Sequence, residues 1–86
     1  MDDRRKKLRF RAWRRGFREI DLILGGFADA QLHSLDEAGL RAFEALLDAP
    51  DQEVYAWITG EKPAPAAYQG ALLGAIRAHC AEGLRS

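Results

Sequence analysis

Phe17-Arg18-Glu19-Ile20-Asp21-Leu22-Ile23-Leu24-Gly25-Gly26-Phe27 decides the fold class. Phe17, Ile20, Ile23, Leu24 and Phe27 follow one another at spacings of 3, 3, 1 and 3, which is one face of a 3.6-residue helix. Leu22 adds a second apolar flank, so this helix is expected to be the most buried of the set. Gly25-Gly26 weakens it or lets another backbone come close.

The same period recurs on both sides. Upstream, Phe10 and Trp13 give a short amphipathic helix with a narrow apolar stripe and cationic flanks. Gly16 marks its boundary. Downstream, Ser34-Leu35-Asp36-Glu37 reads as a capping box, with the Ser34 hydroxyl on the Glu37 N–H. Leu40, Phe43, Leu46 and Leu47 form the face that follows, and Pro50 ends that helix. Asp51 to Ile58 is a short helix with Gly60 as its C-cap. Lys62-Pro63-Ala64-Pro65 is a stiff connector. A last helix runs from Ala66 to Glu82, with Gly70 and Gly74 as a groove for close packing and Gly83 as its cap. The sum is an all-α bundle of about five helices with short loops. It reads as one domain over 1–86, with residues 1–7 a disordered basic tail.

A chain of 86 residues buries roughly 60–65% of its unfolded surface, so the core is modest and a deep enclosed active site has little room. The single cysteine, Cys80, allows no internal disulfide and fits a reducing compartment. The apolar stretch around Ile20–Ala30 is broken by Asp21, Gly25, Gly26 and Asp29, so no membrane insertion is expected. The N-terminus has no apolar signal region, and Asp2 and Asp3 count against a mitochondrial presequence. A bacterial cytoplasm is the expected location.

The formal charge of zero hides an asymmetry. Residues 1–18 carry nine positive and two negative charges, and residues 19–86 carry four positive and eleven negative. Such a split predicts that the N-terminal face meets an anionic partner rather than the rest of its own surface. Nucleic acid is one candidate, since Arg and Lys neutralise phosphates and interleaved aromatics stack on bases. A protein with acidic patches fits equally, because Arg pairs bidentately with carboxylates.

Catalytic and metal constellations find no support. His33 and His79 are far apart, no Cys-x-x-Cys or His-x-x-x-His occurs, and Cys80 lacks an orienting group. Trp57, on a short helix, is expected to be half buried. Arg15 and Glu19 lie four apart, one helical turn. They form either an exposed ion pair worth about 0.3–0.5 kcal/mol or, with the bare backbone of Gly16 between them, a polar contact surface.

Arg14-Arg15-Gly16-Phe17-Arg18-Glu19-Ile20-Asp21-Leu22-Ile23-Leu24, with Phe27 after it, resembles the signature of the succinate dehydrogenase assembly factor (flavinator) family. That family is marked by Arg-Gly-x-x-Glu at the start of its second helix, with an Asp commonly two residues on. Phe43-Glu44-Ala45-Leu46-Leu47-Asp48, then Asp51 and Trp57, resembles its second block. The likeness runs from about residue 8 to residue 80. Many members carry Met where Phe17 stands, and both are large and apolar. The resemblance implies a five-helix bundle, not itself an enzyme. It would bind the flavoprotein subunit of succinate dehydrogenase, or in some bacteria fumarate reductase, and promote covalent attachment of FAD to it. It implies partner contacts at Arg14, Arg15, Gly16, Glu19, Asp21, Asp51 and Trp57. The FAD belongs to the partner, and direct contact with it is left open. Nucleic acid ranks below this partner, and the free chain is expected to be a monomer.

Overall fold

The computed structural model describes residues 2–85, with side chains described through Glu82. Five α-helices follow in order: α1 Asp3–Trp13, α2 Arg18–Gln31, α3 Glu37–Asp48, α4 Asp51–Thr59 and α5 Ala71–Arg85. Single 3-10 turns at Leu32–Ser34 and Ala66–Tyr68 join them, and no strand occurs among the described residues. This is the small all-α bundle that the periodicity predicts.

α2 carries the centre of the core. Ile20, Leu24, Phe27 and Ala28 are fully buried, and the Phe27 ring meets Phe43 of α3 at 5.9 Å between centroids. Leu40, Leu46 and Leu47 of α3, Val54 and Ile58 of α4, and Leu73 and Ile76 of α5 close around them. Two boundaries fall where the sequence places them. Pro50 sits at the N-cap of α4, and Gly60 ends that helix in the left-handed region at φ 84°.

Gly25 is buried inside α2, where a glycine costs about 1 kcal/mol relative to Ala. Its use is packing: a Cβ there would fall inside the indole of Trp13. Trp13 therefore lies flat on α2 and donates from Nε1 to Asp29 at 3.2 Å.

The structure departs from the sequence reading at several elements. α1 buries Leu8 and Ala12, whereas Phe10 and Trp13, the expected stripe, are 59% and 37% exposed. Phe10 points out under the guanidinium of Arg14, 4.3 Å from its ring centre. Leu22, expected as a buried flank, is 52% exposed. In place of a disordered tail over 1–7, residues 3–7 form the first turns of α1, capped by the Asp2 carboxylate on the Arg5 N–H at 2.8 Å. Met1 lies outside the described residues. The α3 cap is Asp36, which accepts from the Gly39 N–H at 2.8 Å. The preceding 3-10 turn commits Ser34 to the Gln31 carbonyl, and Glu37 is engaged by Arg4 and Arg41, so no capping box forms. α5 starts at Ala71, because Pro65 opens a separate 3-10 turn, and it runs through Gly83 to Arg85. Nothing packs within 4 Å of a Cβ at Gly70 or Gly74, so no helix of the bundle uses them for close packing.

The largest correction concerns charge. Much of the basic segment is neutralised by its own chain. Arg4 pairs with Glu37 and Glu44, Arg9 with Asp29, Arg11 with Asp48, and Arg15 with Asp51. All these pairs join the cationic end to the acidic remainder; those of Arg4, Arg9 and Arg11 tie α1 down onto α2 and α3, and that of Arg15 ties the turn after α1 to α4. The hydrogen bond from Arg4, aided by one from Arg41, holds the Glu37 carboxyl below its ordinary range, and the Arg5 N–H does the same for Asp2. Five of the nine cations in residues 1–18 are thus already engaged, Arg5 by Asp2 among them, which weakens the nucleic-acid reading.

Candidate partner-binding site

Residues 14–17 turn the chain from α1 into α2, and three side chains hold that turn. Arg15 reaches away from it into the α3–α4 junction. Its guanidinium bonds Asp51 Oδ1 through Nε at 2.8 Å and Nη2 at 2.6 Å, and it donates to the Leu47 carbonyl at 2.6 Å. Leu47 lies in the last turn of α3 and Asp51 in the first turn of α4. The cation thus meets the electron-rich end of one helix and a carboxylate at the positive end of the next. The pair is well shielded, with side-chain exposures of 11% for Arg15 and 23% for Asp51. Asp21, in the first turns of α2, folds back and accepts the Arg15 backbone N–H at 2.6 Å. Arg77 plays a related part at the end of α4, donating to the Trp57 carbonyl from both Nε and Nη2.

Gly16 is pressed against this knot. A Cβ on it would stand 2.7 Å from Asp51 Oδ2. Asp51 is fixed through its other oxygen by Arg15, so it cannot yield without weakening that pair. Glycine is required here by close approach, since its φ is not positive. Beside it Phe17 packs edge-on against Tyr55 of α4, 5.2 Å between centroids, which pins the start of α2.

The candidate residues therefore separate. Arg15, Gly16, Asp21 and Asp51 meet in one polar knot. Arg14, Arg18 and Glu19 stand exposed around it, and none of them enters an ion pair among the described residues. The Arg15–Glu19 ion pair weighed from spacing is replaced by Arg15–Asp51, so Glu19 is left open. Trp57 does not join the knot: it is 6% exposed rather than half buried, with its ring on Tyr68 at 4.8 Å. Sequence reasoning missed the Leu47 carbonyl and Tyr55. Their relation to the motif is purely tertiary, and no local spacing signals it. Among the described residues no group of three or more His, Cys, Asp or Glu could hold a metal ion, and no helix is long and apolar enough to cross a membrane.

Such a site presents a rigid strip of bare backbone flanked by an open carboxylate and open guanidinium groups. It has the chemistry of polar recognition, with no nucleophile and base in reach of each other. Comparison with known proteins gives the strip a context. Succinate dehydrogenase assembly factor 2, mitochondrial, of Dictyostelium discoideum is 37% identical over 76 residues, covering 88% of this chain and 54% of that protein. The FAD assembly factor SdhE of Acetobacter pasteurianus is 39% identical over 62 residues, 72% of this chain and 57% of that protein. Succinate dehydrogenase assembly factor 2, mitochondrial, of Danio rerio is 30% identical over 79 residues, 90% of this chain and 50% of that protein. The chain spans about half the length of these curated relatives. The family model described as flavinator of succinate dehydrogenase matches residues 6–80, a span that takes in the turn, the junction that holds it and nearly all of the helical scaffold. On that match, the chain belongs to the family of flavinators of succinate dehydrogenase.

Proposed function

We propose that this chain is an assembly factor that binds the flavoprotein subunit of succinate dehydrogenase, or of fumarate reductase, and promotes covalent attachment of FAD to it. Support comes from the family and from one observation: the Arg-Gly-x-x-Glu turn is held from behind by Asp21 and Asp51, which leaves Gly16 and Glu19 facing solvent. A partner chain can lie close over Gly16, and Glu19 can accept from a donor beside it. Arg14 is a direct contact in this reading. Arg15, Asp21 and Asp51 keep the surface in shape, and Trp57 supports α4 from within. The covalent bond forms on the partner, where the flavin supplies the reactivity. This chain acts by favouring the competent arrangement of its partner, without a catalytic step of its own. It works as a monomer in a bacterial cytoplasm.

The test uses a strain whose only copy carries Gly16→Arg or Glu19→Ala. Glu19→Ala should melt like the parent, since its side chain is exposed, whereas Gly16→Arg should fold but melt lower, since its Cβ crowds Asp51. Capture of the flavoprotein subunit and its covalent flavin fluorescence on denaturing gels should fall with both. Normal covalent flavin in the Gly16→Arg strain would refute the reading.

A further inference from the structure

The three large apolar side chains exposed among the described residues all belong to α1 and α2: Phe10 at 59%, Leu22 at 52% and Trp13 at 37%. They are neighbours. The Trp13 indole lies against Gly25, one turn along α2 from Leu22, and Phe10 stands one turn before Trp13 on α1. Leu22 is in turn three residues beyond Glu19 and four beyond Arg18, so it shares their side of α2. The apolar patch is therefore continuous with the edge of the Gly16 turn.

Charge around the patch is one-sided. Lys6, Lys7, Arg14 and Arg18 take part in no ion pair among the described residues, although the other cations of this segment do. The nearby acids are committed: Asp29 to Trp13 and Arg9, Asp21 to the Arg15 N–H. Open carboxylates among the described residues here are Glu19, beside Leu22, and Asp3, at the far end beside Lys6 and Lys7. An apolar centre with aromatic members, rimmed by arginine and lysine, has the make-up of a protein interface. An anionic lipid surface also suits the cations, but it would set Glu19 against phosphates of like charge. A protein can place a cation opposite Glu19 and carboxylates opposite the rim.

We propose that Phe10, Trp13 and Leu22 form the apolar half of the partner interface, and that they enter an apolar socket rimmed by carboxylates on the flavoprotein subunit. This rests on the function proposed above. Leu22 is the anchor closest to the polar half, and Arg14 and Arg18 flank it and Phe10 as charged neighbours.

The experiment measures the affinity of purified flavoprotein subunit for the full chain and for Leu22→Ser, Phe10→Ser, Leu22→Met and Glu19→Ala. Circular dichroism melts of each variant accompany it. Both serine variants should melt close to the parent, because the side chains they remove are exposed. Each should bind about tenfold more weakly, as truncation of an interface anchor does. Leu22→Met should stay within about twofold, since it conserves apolar volume. Parent-like binding by both serine variants, with Glu19→Ala weakened, would overturn this inference and leave the proposed function standing. No binding by the parent chain would overturn both. Retention of the parent chain on vesicles of phosphatidylglycerol and phosphatidylcholine, lost in Leu22→Ser while flavoprotein binding is kept, would make the patch a lipid surface and overturn the proposal.

Discussion

Asp51→Ala should destabilise the chain far more than an ordinary surface substitution. The structure explains the size. Arg15 is 11% exposed and Asp51 23%, so deleting the carboxylate leaves a shielded guanidinium with only helix-end carbonyls to satisfy it. Breaking a fully buried pair in this way costs about 3–5 kcal/mol. The residual exposure of Asp51 brings the expectation to about 2–3 kcal/mol, closer to the loss of a charge-assisted hydrogen bond and its desolvation. For a domain of this size that is about 10–20 °C in melting temperature. Arg15→Ala loses the same pair and the bond to the Leu47 carbonyl, for about 3–4 kcal/mol. In a double-mutant cycle the two losses overlap, so the coupling energy should be about 2 kcal/mol. The reference cycle is Arg11 with Asp48, whose side chains are 42% and 70% exposed; it should couple by less than about 0.5 kcal/mol. Urea unfolding followed at 222 nm measures both. Equal coupling in the two cycles would show that Arg15–Asp51 behaves as a surface pair, and the account of a rigid turn built on it would fail.

Three further outcomes follow from the geometry. Gly25→Ala should push the Trp13 indole off α2; in a Trp57→Phe background its fluorescence should shift to the red, and an unshifted spectrum would contradict the close packing. Asp36→Ala should cost about 1 kcal/mol as a lost N-cap, whereas Ser34→Ala should cost a few tenths at most, and the reverse order in thermal melts would restore the capping box. Glu37 and Asp2 have pKa values lowered in the fold, so their contribution is complete above the ordinary carboxylate range and is lost as pH falls through the lowered values. The melting temperature should therefore fall on acidification, less steeply for Glu37→Gln, and equally steep decline in both proteins would be the wrong result.

What the sequence made legible was local. The 3-3-1-3 spacing from Phe17 to Phe27 specifies a helix whatever surrounds it, and Pro50 and Gly60 mark boundaries through backbone geometry alone. What stayed illegible depended on long-range partners. Phe10 and Trp13 are the larger apolar groups of α1, yet Leu8 and Ala12 face inward because α2 offers a surface that lets α1 come close. Ser34 and Asp36 are both good caps, and only the turn at Leu32–Ser34 chooses between them. The site shows the same division. Arg15, Gly16 and Glu19 were visible as a motif, but their roles were not. The carboxylate that engages Arg15 is 36 residues away, not four.

The ion pairs that fasten α1 to the bundle set an order of events when the chain is made from its N-terminus. The arginines that carry these pairs lie within residues 4–15 and are made before their partners. Most of their carboxylate partners lie at positions 37, 44, 48 and 51, more than twenty residues later. Until those appear, the segment holds most of its arginines without an intramolecular counter-charge. Arg4, Arg11 and Arg15 meet these carboxylates once α3 and the start of α4 are present, so the first helix is fastened by the middle of the chain and not by its own neighbours.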